Sequence, residues 1–242
     1  MKRLILGAVV AMALTSCSNR NSPYDTKIVI GCSPTPHAEI LEFVKPFIKE
    51  RGYTLDIKII NDYVTPNTLL KSGDLDANYF QHVPYLDDFN AKNGTDIIWT
   101  KKIHFEPMGV YSLKHQDLTQ ANPKIAIPND VSNGQRARDL LEEIGLTGTI
   151  IELEAQAIPS VLQDVDYGVI NGNYALSAKI TNKCIVTERT DSDIALTNAN
   201  VIAIDPKYKD QNWVKVLNEE MTNVRVKDFI DANYGAAVKA VF

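Results

Sequence analysis

The chain has 242 residues, with 25 Lys and Arg against 30 Asp and Glu, a formal net charge of −5. A mildly acidic balance without a basic run argues against nucleic acid as a partner. The length suits one large domain or two small ones, and beyond Leu14 no apolar run approaches membrane-spanning length.

The chain opens Met1-Lys2-Arg3 and runs apolar from Leu4 to Leu14. A positive start followed by a short apolar stretch reads as a secretory signal. The stretch closes as Leu14-Thr15-Ser16-Cys17, which looks like a bacterial lipobox, cut before Cys17 with its thiol lipidated. Residues 1–16 are then a signal peptide and 17–26 a polar tether. Acyl chains on Cys17 hold the protein at the cell envelope, facing the periplasm or the exterior. Ser18 leaves open which membrane is used. An ordinary cleaved signal that happens to carry a cysteine is the alternative. Cys32 and Cys184 remain, and no local feature favours their pairing.

Ile28 to Ile30 reads as a strand, and Pro36 to Arg51 as a helix with an apolar stripe of Ile40, Leu41, Val44, Phe47 and Ile48. Thr35 suits its cap, and Pro46 predicts a kink or a weak point. Strands follow around Leu55 to Ile59, Leu75 to Phe80, Ile97 to Lys101 and Met108 to Leu113. Helices are expected over Thr65 to Ser72, stopped by Gly73, and His82 to Asn93, stopped by Gly94. The second half repeats the alternation. Strands are expected at Lys124 to Ile127, Thr149 to Leu153, Tyr167 to Ile170, Cys184 to Glu188 and Val201 to Ile204. Helices are expected at Ser132 to Ile144, Ile158 to Gln163, Gln211 to Asn223 and Val226 to Val241. This pattern implies two α/β lobes, with ligands outside the carboxyl ends of the strands.

Several strand ends carry polar or aromatic clusters. Asn171-Gly172-Asn173 follows an apolar strand. Alone it reads as a hairpin turn, but Tyr174 to Lys179 looks like a helix starting. Pro128 to Arg136 joins a strand to a helix, whose free N–H groups attract an anion. Arg136 near that start is unfavourable for the helix dipole unless it faces a carboxylate, which it can grip with two hydrogen bonds. A surface pair with Asp139 or Glu142 explains it equally well. Ala77 to His82 and Ile103 to Gly109 put aromatic residues and histidines at two further ends, either as core or as the walls of a small-ligand pocket. His37, His82, His104 and His115, with Glu39 and Glu106, could supply metal ligands, yet none has a tight helical spacing, so no metal centre is expected. No Gly-x-Ser-x-Gly, phosphate loop or dinucleotide fingerprint occurs, so neither an enzyme nor a cofactor is expected.

Four stretches in order carry a likeness: Gly73 to His82, His104 to Ser112, Ile127 to Asp130 and Val169 to Ala175. Together they resemble the methionine-binding lipoproteins that deliver substrate to an ABC importer. The resemblance implies a two-lobed, periplasmic-binding-protein-like α/β fold with the ligand between the lobes. Residues 27–111 plus 205–242 form one lobe and 112–204 the other. It implies that Arg136 holds the ligand carboxylate, and that Asn171, Asn173 and Asn200 bind the amino-acid head. Tyr79, Phe80, His82, His104 and Phe105 then wall the side-chain slot, where a polarizable thioether favours aromatic edges. The implied partners are methionine and the importer's permease and ATPase. Arg136→Ala is expected to weaken binding by about 2–4 kcal/mol with the fold intact.

The chain departs from the family at two places. Some twenty residues are missing between Leu146 and Ile151, and Asn198 stands where an aromatic residue is usual. The competing readings are the same fold binding another apolar amino acid, a short peptide or a ring compound, and an envelope interaction lipoprotein without a transport role.

Overall fold

A computed structural model describes residues 26–242. The signal peptide and lipobox, including Cys17, lie outside the described residues.

Strand β1 (Lys27–Cys32) leads through a tight turn at Pro34–Ala38 into α1 (Glu39–Glu50). Thr35 has extended φ and ψ, so the regular helix begins later than the sequence suggests. Four side chains of α1, Ile40, Leu41, Val44 and Ile48, are fully buried. Each contributes about 1.5–3 kcal/mol, which together outweighs the roughly 3 kcal/mol cost of a proline inside a helix. The helix therefore runs through Pro46, which sits exposed. Next come β2 (Thr54–Ile59), α2 (Thr65–Ser72), β3 (Ala77–His82), α3 (Val83–Asn93) and β4 (Ile98–Phe105). Gly73 ends α2 at φ 84°, a left-handed conformation that costs glycine nothing.

The second group comprises β5 (Gly109–Tyr111), β6 (Lys124–Pro128), α4 (Val131–Glu143), β7 (Thr149–Leu153), α5 (Ile158–Val161), β8 (Tyr167–Ile170), α6 (Gly172–Ser177) and β9 (Cys184–Thr187). After α7 (Ser192–Thr197) the chain returns through β10 (Asn200–Ile204), α8 (Asn212–Met221), α9 (Val224–Tyr234) and β11 (Lys239–Ala240).

Two sheets result. The first has the order β11-β4-β10-β3-β1-β2 and the second β7-β6-β8-β5-β9. Parallel pairing joins β1 to β2 and β3, and β6 to β7 and β8. β10 runs antiparallel between β3 and β4, and β5 antiparallel between β8 and β9. Each sheet is covered by helices on both faces, with separate apolar cores, as parallel strands require.

Pairing moves the lobe boundaries. β5 belongs to the second sheet and β10 to the first, the reverse of the boundaries at 111 and 204 that the resemblance implies. The chain crosses at Glu106–Met108 and returns between Glu188 and Ala199. The C-terminal segment differs as well. α9 stops at Tyr234, and Lys239–Ala240 pairs with the edge of β4 instead of continuing a helix to Val241. Cys32 and Cys184 are both free thiols, in β1 of one sheet and β9 of the other.

Candidate functional site between the lobes

Because β10 is antiparallel, its first residue lies at the same edge as the last residues of its neighbours. Asn200 sits opposite His82 on one side and His104 on the other. His82 caps α3, its Nδ1 accepting the Tyr85 N–H at 3.2 Å. The hydrogen is therefore on Nε2, which donates to Asn133 Oδ1 at 3.0 Å. Burial pushes this imidazole down to about 3, with the Arg136 charge adding to the effect.

Facing it in the second lobe, Asp130 caps α4. Its carboxylate accepts the Asn133 backbone N–H at 2.9 Å and the Asn133 side-chain amide at 3.0 and 3.1 Å. Asn171 stands at the N-terminal position of α6, at the end of β8, without a side-chain bond to that helix, and donates its Nδ2 to Asn133 Oδ1 at 2.8 Å. The hairpin alternative for Asn171-Gly172-Asn173 is thus replaced by a strand-to-helix junction.

Arg136 is held from its own side of the cleft. Nε donates to Glu188 Oε2 at 3.0 Å, Nη2 donates to Glu188 Oε1, and Nη2 also reaches the Glu106 carbonyl at 2.9 Å. The guanidinium lies 5.7 Å from the centroid of the Phe105 ring. Glu188 is fixed in turn by the Met108 N–H at 2.7 Å. Neither Asp139 nor Glu142 is the partner, and Asp139 is engaged by Gln135. Glu188 and the Glu106 carbonyl together engage Nε and Nη2, so these bonds leave Nη1 as the donor available to a guest.

Behind the cavity, Tyr79 Oη bonds His104 Nδ1, and His104 Nε2 lies 2.6 Å from Glu106 Oε1. His37 Nε2 lies 3.0 Å from Asn200 Oδ1 and 3.8 Å from Glu106 Oε1. Burial pushes His37 down to about 4 and His104 to about 3, while it pushes the Glu106 carboxyl up to about 7. His37, His104 and Glu106 bring three possible metal-ligand atoms within 4.8 Å of one another. These atoms are already engaged with each other and with Asn200.

The cavity between the lobes is lined by Tyr63, Phe80, Gln81, His82, Tyr85 and Glu106 from the first lobe and the crossing, and by Asn133, Arg136, Asn171, Gly172 and Asn173 from the second. Asn200 closes it from the start of β10. Its volume is about 20 Å³, room for little more than one water. Tyr63 Oη to Asn173 Oδ1 (2.6 Å), His82 Nε2 to Asn133 Oδ1 and Tyr174 Oη to the Asn61 carbonyl (2.8 Å) bridge the lobes. This is a closed cleft, and a guest the size of an amino acid enters only when the lobes part. Two atoms in its wall are buried and unpartnered: the acceptor Asn171 Oδ1 and the donor Asn173 Nδ2.

Of the residues expected at the site, Phe80, His82, Arg136, Asn171, Asn173 and Asn200 line the cavity, whereas Tyr79, His104 and Phe105 do not. Successive side chains of a strand point to opposite faces. That alternation puts Tyr79 in the first-lobe core and Phe80 at the cleft, but the β3–β10 register shifts at Phe80, so Gln81 and His82 line the cavity as well, and Phe105 lines a groove beside the crossing. The aromatic wall is instead Tyr63, Phe80 and Tyr85, with ring centroids 5.8 to 5.9 Å apart. Tyr63 sits in a polar loop without a motif, so the sequence carried no signal for it. Asn133 lies inside a stretch that the sequence singles out for its arginine, and Glu106 stands in the sequence only as a possible metal ligand. Asn198 is not in the wall, and its side chain caps α7 through the Ile194 carbonyl at 3.2 Å.

Two helix-covered sheets that close on a polar cavity at their strand ends define a two-lobed solute-binding protein. The chain belongs to the NlpA lipoprotein family, whose model matches residues 28–150 and 147–242. The two matched segments meet where the connection between α4 and β7 is short.

Among relatives, it is 32% identical to the methionine-binding lipoprotein MetQ of Bacillus subtilis, with 100% of this chain and 99% of that protein covered. The solved structure of a nutrient-binding protein from Burkholderia cenocepacia bound to methionine is similar at a TM-score of 0.83 and 38% identity, covering 89% of this chain and 100% of that one. An ABC transporter periplasmic substrate-binding protein from Coxiella burnetii matches at a TM-score of 0.81 and 31% identity, covering 88% and 99%.

Proposed function

We propose that this protein captures methionine, or a closely related zwitterionic amino acid, and passes it to the permease of an ABC importer while anchored to the envelope through a lipid on Cys17. One observation carries the reading: an orphan acceptor, an orphan donor and a guanidinium share one closed cleft beside an aromatic wall. A buried polar group left unmatched costs about 1–3 kcal/mol. A free amino acid brings an ammonium and a carboxylate, which match both kinds of orphan at once. Tyr63, Phe80 and Tyr85 offer ring faces and edges to a thioether. Two lobes that each hold part of the contact set favour closure around the guest.

A second reading keeps the fold and lengthens the guest to a short peptide. It is favoured by a groove of about 610 Å³ that continues outward from Tyr63 and Tyr85 past Phe89 and Val131.

Thermal unfolding with every free amino acid and a dipeptide panel separates the two. A guest at a hundred times its dissociation constant adds about 2.7 kcal/mol. A clear rise in Tm with methionine is expected; a rise only with dipeptides selects the longer guest, and no rise with any removes the binding function. Cys17→Ser is expected to release the protein from membranes into the soluble fraction.

A further inference from the structure

Resting on the amino-acid reading above, we infer that Asp130 and Asn133 are positioning residues that set the hydrogen-bond polarity of Asn171, so that the cleft demands a guest with a free ammonium. A carboxamide has an oxygen that accepts and a nitrogen that donates, and it can present either by rotating half a turn. Nothing about Asn171 alone decides which end faces the guest.

The neighbours decide it. The Asp130 carboxylate only accepts, and it takes the backbone N–H and both contacts of the Asn133 side-chain amide nitrogen. Asn133 must therefore turn its oxygen toward the cleft. His82 imposes the same choice from the opposite lobe. Its Nδ1 is occupied as an acceptor by the Tyr85 N–H, so its Nε2 carries the hydrogen and needs an oxygen at Asn133. Two independent anchors thus fix one amide.

Asn133 Oδ1 then calls for a donor from Asn171, which supplies Nδ2 at 2.8 Å. Asn171 Oδ1 is left buried, unpartnered and at the cavity wall. The chain Asp130, Asn133, Asn171 ends in an acceptor whichever guest arrives. Closure strengthens it, because the His82 anchor forms across the lobes. An ammonium satisfies that acceptor, whereas a guest with a carboxylate or a methylene at that point leaves it orphaned or repels it.

The test compares methionine with 4-(methylthio)butanoate, which is methionine without its amine, by titration calorimetry on wild-type, Asn133→Ala and Asp130→Ala protein. The ratio of the two affinities is the readout, since a merely structural loss weakens both guests alike. Wild type is expected to prefer methionine by about a hundredfold or more, and Asn133→Ala to shrink that ratio by at least about tenfold. Should Asn133→Ala fail to fold by circular dichroism, Asp130→Ala carries the same comparison. An unchanged ratio in a folded variant overturns the relay.

Hydrogen exchange of the Asn171 side-chain amide, read by NMR without any guest, tests the relay even if the guest is not methionine. Slow exchange in wild type and fast exchange in Asn133→Ala support it. Equal rates overturn it, while absent methionine binding with slow exchange counts only against the amino-acid reading.

Discussion

Arg136 shows how a neighbour changes the meaning of one residue. Its side chain is 10% exposed and that of its partner Glu188 is 8% exposed. Removing one member of a buried ion pair leaves an uncompensated charge, at a cost of about 3–5 kcal/mol. Arg136→Ala is therefore expected to lower unfolding free energy by that amount in denaturant titrations, contrary to the expectation of an intact fold. The double variant Arg136→Met with Glu188→Gln removes both charges at similar volume and is expected to recover most of the stability while methionine binding stays weak. If calorimetry finds the double variant binding as tightly as wild type, Arg136 has no part in holding the guest. The arginine was legible because a cation at a helix start is out of place. Glu188 was not, because 52 residues separate it from Arg136 and no local pattern links them.

At the scale of elements, local chemistry was legible and partnership was not. α2 spans Thr65–Ser72 and ends at Gly73, as its cap residues and apolar spacing predict. β5 and β10 are legible as strands, but the boundaries drawn from the resemblance exchange their sheets, and nothing local corrects this, because a strand's alternation reveals which face is buried and not which neighbour it joins. Gly235 stops α9 at φ 54°, a local signal like that at Gly73, whereas the pairing of Lys239–Ala240 with the open edge of β4 is non-local and propensity cannot register it.

The placement of α4 leads to a further expectation. A Cβ added at Gly134 would stand 2.9 Å from the Pro128 carbonyl oxygen, a backbone atom that cannot swing away. Gly134→Ala should push the start of α4 off the end of β6, carrying Asn133 and Arg136 with it. A loss of about 1–3 kcal/mol in stability is expected, with a drop in methionine affinity on top of it. Unchanged stability together with unchanged affinity would show that the helix start can yield without disturbing the cleft.

For the whole molecule, the concentration of buried imidazoles around the cleft makes stability depend on pH in a definite direction. Unfolded, each histidine takes up a proton near pH 6.5. Folded, burial holds His37 down to about 4 and His82 and His104 to about 3. Below pH 6.5 the unfolded chain therefore binds more protons, and each of the three histidines withdraws about 1.4 kcal/mol of stability per pH unit as the pH falls. Glu106 acts the other way. Burial raises its carboxyl to about 7 from 4.5, so between those values the folded state keeps a proton that the unfolded chain has lost. Its contribution grows as the pH drops through 7 and levels off below 4.5. Three groups oppose one, so the balance between pH 6.5 and 4.5 falls toward the unfolded state. Tm is expected to decline steadily from pH 7 to pH 5, and Glu106→Gln should steepen that decline, because it removes a compensating group while keeping a side-chain oxygen beside His104. A scan of Tm against pH that stays flat or rises toward pH 5 would mean that these histidines reach solvent and protons in the folded state, and the closed, dry cleft would have to be abandoned with them.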